Sequence, residues 1–161
     1  MTSHDLRVEK KGQKAEVHLV SSRLLSGEFF LSGQAQSRLG SETLMDVFND
    51  PERVFLPFTE ESSGAFHLLN RDHIVMVELV GGGLSDILGF DSESELPTQK
   101  VRLGYGVDDM ALDGNAYVGD LHPDNRRLTD LLNHDSLFLL LLSDEKVFLV
   151  NKSQMHFVMV G

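Results

Sequence analysis

The sequence predicts a mainly β protein with a minor helical share, arranged as two tandem five-stranded small barrels, each carrying one short helix between its second and third strands. Three observations predict this. Ala15, Val17 and Leu19 alternate with Glu16 and His18, the period of a half-buried strand, and Val101, Leu103 and Tyr105 repeat the alternation. The strongest apolar run, Leu137 to Leu142, has the length of a strand and falls far short of the roughly 18 residues of a membrane-spanning helix. The same succession of short motifs also runs through the chain twice.

Ten positions agree between the two passages: Leu25/Leu112, Gly27/Gly114, Leu44/Leu128, Asp46/Asp130, Asn49/Asn133, Leu56/Leu140, Glu61/Glu145, Leu68/Leu149, Asn70/Asn151 and Val77/Val158. Their offset falls from 87 at the glycines to 84 at Leu-x-Asp-x-x-Asn and 81 at the Asn-Arg/Lys turn, as short loop deletions would make it. An internal duplication is the expectation, with a polar tail at 1–13, copy one at 14–80, a linker at 81–99 and copy two at 100–161.

In copy one the alternating strand is followed by Gly27, expected to turn the chain into a second strand, Glu28 to Leu31. A short helix comes next, capped by Ser41, with Leu44, Val47 and Phe48 on one face and Asn49 and Pro51 ending it. Strands are then expected at Val54 to Phe58, Ala65 to Leu69 and His73 to Val80, the last two joined tightly at Asn70-Arg71-Asp72. The linker holds Gly81-Gly82-Gly83, the acidic Asp91 to Glu95 and Pro97, interrupted by Leu84, Ile87, Leu88 and Phe90 at the spacing of a short docking helix. Copy two repeats the plan. Gly114 precedes a strand at Asn115 to Val118, and Asp124 or Asn125 caps a helix bearing Leu128, Leu131 and Leu132. Strands follow at Leu137 to Leu142, Val147 to Val150 and Met155 to Val160. Because Phe138 to Leu142 is apolar on both faces, it needs cover from the sister copy, a helix or another subunit.

With the strand, the glycine, the second strand and a last hairpin carrying Asn70-Arg71 or Asn151-Lys152, each copy resembles a small SH3-like barrel, and among these the Sm-like group. It also resembles a duplicated bacterial domain of no assigned activity. The Sm-like resemblance implies a ring-forming RNA binder.

Composition bears on function mainly by exclusion. The chain has 161 residues, 14 Lys and Arg against 25 Asp and Glu, and a net charge of −11. Copy one carries −5 and copy two −3, so both disfavour a polyanionic partner, which is held by Lys and Arg neutralising its phosphates. No signal-peptide pattern opens the chain and cysteine is absent, which points to a cytoplasmic protein without disulfides or thiolate chemistry. No membrane partner is expected. The histidines His4, His18, His67, His73, His122, His134 and His156 show no helical metal-ligand spacing, so neither metal nor cofactor is expected. Asp109, Asp113, Gly114 and Asp120 echo a calcium loop, yet Ala111 and Asp120 occupy positions that need a ligating oxygen and a bidentate glutamate.

No nucleophile motif and no catalytic residue stands out. The expected function is a non-enzymatic interaction or assembly module that binds a protein partner or itself. A nucleic-acid binder and a hydrolase or metal enzyme assembled only by the fold are the alternatives. Arg71 and Lys152, at hairpin tips expected to be exposed, and the pair Arg126 and Arg127 are the candidate contact residues.

Overall fold

The computed structural model describes residues 10–32, 42–81, 96–107, 109–119 and 121–161. The expected tail up to residue 9, the Gly82–Glu95 part of the linker with its proposed helix, Ser41 and Asp120 lie outside these residues. The mainly β expectation holds. Among the described residues ten strands form one antiparallel sheet: β1 Lys10–Leu19, β2 Leu24–Ser32, β3 Phe55–Glu60, β4 Phe66–Asn70, β5 Ile74–Leu79, β6 Thr98–Tyr105, β7 Met110–Tyr117, β8 Phe138–Ser143, β9 Lys146–Asn151 and β10 Met155–Val160. Among the described residues two one-turn helices, α1 Leu44–Phe48 and α2 Leu128–Leu132, precede β3 and β8. No described helix is long and apolar enough to cross a membrane.

The sheet runs β10-β6-β7-β8-β9-β5-β1-β2-β3-β4. Two closed barrels were expected; instead the first five strands lie in the order β5-β1-β2-β3-β4 and the last five in the matching order β10-β6-β7-β8-β9. The two sets join where β9 pairs with β5, through Met76 opposite Val150, Val77 opposite Leu149 and Glu78 opposite Phe148. The junction explains the doubly apolar strand. Phe138 and Leu140 of β8 enter the first core with Phe29, Phe48 and Phe58, while Leu139 and Leu141 enter the second with Val101 and Leu103. Successive residues of a strand face opposite sides, so an unbroken apolar run is what a strand between two cores requires.

Local chemistry differs from expectation at three places. Thr43 caps α1, its side chain accepting the Asp46 N–H while the Asp46 carboxylate accepts the Thr43 N–H, so the reciprocal pair lies two residues beyond Ser41. In the second half, Asp124 and Asn125 form a 3-10 turn, and Arg127 stands at the cap of α2, its N–H donating to the Asp130 carboxylate. Gly27 and Gly114 are not turns. Each lies inside a strand, and a Cβ on Gly27 would stand 2.0 Å from the Thr59 carbonyl oxygen, one on Gly114 2.7 Å from that of Leu142. Glycine lets the third strand of each set cross the second at close range. The first turn is instead made around Ser22, whose φ is +69°.

Pairing also shifts one predicted correspondence. Leu56 lies opposite Leu69, whereas the residue opposite Val150 is Leu139, so Leu56 matches Leu139 and Leu140 falls on the other face. Such a one-residue slip exchanges the two faces of a strand.

Candidate functional site

The four candidate cations are occupied by the fold. Arg71 is not an exposed tip: it is 7% accessible, and its Nη1 donates to the Asp50 and Phe48 carbonyls at the end of α1. Lys152 occupies the matching place, its Nζ donating to the Leu131 carbonyl at 3.0 Å, the His134 carbonyl at 2.8 Å and Ser136 Oγ at 3.3 Å. Cations at a helix C-terminus satisfy carbonyls that lack intrahelical donors. Burial pushes the Lys152 ammonium below its usual range, against the pull of Asp135. Arg126 donates to the Leu121 and Gly119 carbonyls, and Arg127 makes a two-point pair with Asp130 at 3.0 and 3.3 Å. The structure therefore places Arg71 at the C-terminal end of α1, Lys152 at that of α2, and Arg126 and Arg127 at the N-terminal side of α2, each engaged with backbone carbonyls or a carboxylate.

The titratable groups do not converge either. Among the described residues no three of His, Asp or Glu gather as a metal site would require. His122 and His134 serve their own turns, each Nδ1 accepting a backbone N–H two residues on at 3.2 Å. His156 contacts the Gly106 carbonyl, and His67 stands 3.6 Å from Glu60. Asp113, the centre of the calcium echo, pairs with Arg102 at 2.7 and 2.9 Å, and that hydrogen-bonded guanidinium holds its carboxyl below the ordinary range. A shallow depression lined by Lys14, Gly27, Glu28, Thr59 and Glu61 opens to solvent and contains no histidine.

What stands out is the ends of the sheet. Among the described residues β4 and β10 each have only one neighbouring strand. Glu60 N–H donates to Ala65 and Arg71 N–H to Val54, which sets the alternation of the β3–β4 ladder. Phe66, Leu68 and Asn70 consequently turn their backbone N–H and C=O outward. At the other end Gly161 N–H donates to Lys100, so Val158 and Val160 turn theirs away from β6. These edges are apolar. On β4 Phe66 and Leu68 are 63% and 62% accessible, with Phe55 of the neighbouring β3 at 59%, and on β10 Phe157, Met159 and Val160 are 42%, 56% and 71%. An unpaired edge with exposed apolar side chains is a template for another strand, and none of the usual guards, lysine, proline or an inward charge, stands on β4.

Sequence reasoning, which expected strand edges available for pairing, did not locate them because it assigned strands without their neighbours. A signal was present: Leu68 and Val158 are among the repeated identities. Comparison with family models, with curated proteins and with solved structures gives no match to this chain.

Proposed function

We propose that the protein is a non-enzymatic assembly module whose two halves are duplicated SH3-like, Sm-like barrel units left open, and that it works in the cytoplasm by adding a protein strand to its exposed edges. The observation that carries this reading is the pairing of outward backbone groups on Phe66 and Leu68 with side chains more than half exposed. Strand addition supplies main-chain hydrogen bonds, and alternate side chains supply selectivity. The occupied cations and the net charge of −11 favour a protein partner over a nucleic acid.

The test is a photo-crosslinking amino acid in place of Phe66 in the native cells, with Leu24, 51% accessible but away from both edges, as the control position. Protein adducts at position 66 and none at 24 are expected. Equal adducts at both positions, no adducts at all, or adducts that nuclease removes would overturn the reading.

A further inference from the structure

The junction inside the chain specifies what the exposed edges fit. At that junction Leu149 of β9 lies opposite Val77 of β5, and both are fully buried. Asn151 Nδ2 donates to the Ile74 carbonyl at 2.9 Å, and Asn49 Oδ1 accepts the Phe138 N–H at 2.8 Å. Phe138 fills the first core, its ring 4.8 Å from that of Phe48.

Each participant has a counterpart at an open end. Strand order and pairing equate β9 with β4 and β5 with β10, so Leu149 corresponds to Leu68, Asn151 to Asn70, Val77 to Val158, Asn49 to Asn133 and Phe138 to Phe55. All five are identical in residue type. The irregularities also agree: β5 has an extra residue, Val75, against β1, and β10 has His156 at the corresponding place against β6. Yet Phe55 and Leu68 are exposed, Asn133 is exposed, and among the described residues nothing accepts from Asn70 Nδ2. The open ends thus carry the parts of an interface that the chain makes once with itself.

We infer that chains join head to tail, β4 of one against β10 of the next, in the register that β9 makes with β5. Leu68 then lies opposite Val158 of the next chain, Asn70 Nδ2 donates to its Met155 carbonyl, and Phe55 enters its second core near Leu132 with its N–H on Asn133. This deepens the reading of the edges as interaction surfaces by naming their occupant, a second copy. Because the two surfaces differ, the contact is heterologous and propagates until it closes a ring or runs on as a filament.

Light scattering on size-exclusion peaks tests it. The wild-type chain of 17.9 kDa should run as a particle of two or more chains. Leu68→Pro and Val158→Pro each remove an outward N–H while sparing the ladder to the neighbouring strand, and each alone should give a single chain. Mixed, they should give a one-to-one pair, since Leu68→Pro retains a sound β10 and Val158→Pro a sound β4. Circular dichroism checks that both fold, and Leu68→Lys with Val158→Lys replaces them if either proline variant does not. A wild-type protein that stays a single chain at every concentration overturns the inference, as does an assembly whose mass neither variant changes or a mixture that remains monomeric. A monomeric chain that still crosslinks a different protein through position 66 overturns the head-to-tail contact and leaves the edge-binding reading intact; absence of any crosslink removes both.

Discussion

Asn49 Oδ1 accepts the Phe138 N–H at 2.8 Å, tying the end of α1 to the start of β8 across 89 positions of sequence. The bond anchors the aromatic ring that links the two halves, since the Phe138 ring meets Phe48 edge to face and is fully buried. Removing Asn49 leaves a partly buried N–H without its acceptor, so Asn49→Ala should destabilise the chain by about 1–3 kcal/mol. Phe138→Ala should cost about 3–5 kcal/mol, because the first core cannot collapse around the lost ring. Asn133→Ala, at an exposed residue, should stay within about 0.5 kcal/mol of wild type under conditions that keep the chain monomeric. Urea unfolding of the three variants checks the order.

Gly27 makes a different demand. A methyl group there would meet the Thr59 carbonyl oxygen at 2.0 Å and the Phe58 ring at 2.7 Å, so the β2–β3 ladder must part to admit it. Gly27→Ala should cost about 3 kcal/mol, the upper range for an overpacked site, with the loss of protection concentrated in β3. Gly64, whose φ is +71° with open space around it, is a useful contrast. Gly64→Ala strains only the backbone and should cost about 1 kcal/mol. Hydrogen exchange on β3 separates the two mechanisms.

The strand positions were legible because alternation marks a half-buried strand, and Met155–Val160 falls on the expected residues. The doubly apolar β8 also announced its need for cover on both faces, which the two cores supply. Register was harder. Leu139, Leu140 and Leu141 are the same residue type, so matching by identity cannot choose between offsets that differ by one, whereas cross-strand pairing can. A glycine at a close strand crossing reads in sequence like a glycine in a turn, which misplaced Gly27. Which strands form the edges was not legible, because periodicity gives each strand its faces and says nothing of its neighbours. Arg71 was expected at an exposed tip because its acceptors, the Phe48 and Asp50 carbonyls, lie 23 and 21 residues away.

Arg71 supplies the next prediction. Its guanidinium gathers two carbonyls left over at the end of α1, and Lys152 does the same for α2. Arg71→Met retains the buried stem and removes the donors, which should cost about 1–3 kcal/mol. Lys152→Met should cost less, about 1 kcal/mol, because Lys152 is half-exposed and water can reach its carbonyls. If either residue served chiefly as an outer contact, its loss would leave thermal unfolding unchanged, so a melting comparison decides the point.

His18 should give the chain an acid sensitivity above the carboxylate range. Burial on β1 pushes its imidazole below the ordinary value, outweighing the pull of Glu16 beside it and Glu78 on β5. The folded state therefore resists a proton that the unfolded chain accepts near pH 6.5. Stability from this group is complete above the unfolded value and is lost as pH falls below it toward the lower folded value. The Glu60 carboxyl, held below its usual range first by the Ser63 hydroxyl, acts only at more acid pH, so the two effects occupy separate windows. Urea midpoints taken from about pH 8 to about pH 5 should decline for the wild type from near pH 6.5 downward. His18→Gln should flatten that decline while leaving the steeper loss in the carboxylate range. An unchanged slope in His18→Gln would overturn the assignment of this sensitivity to His18.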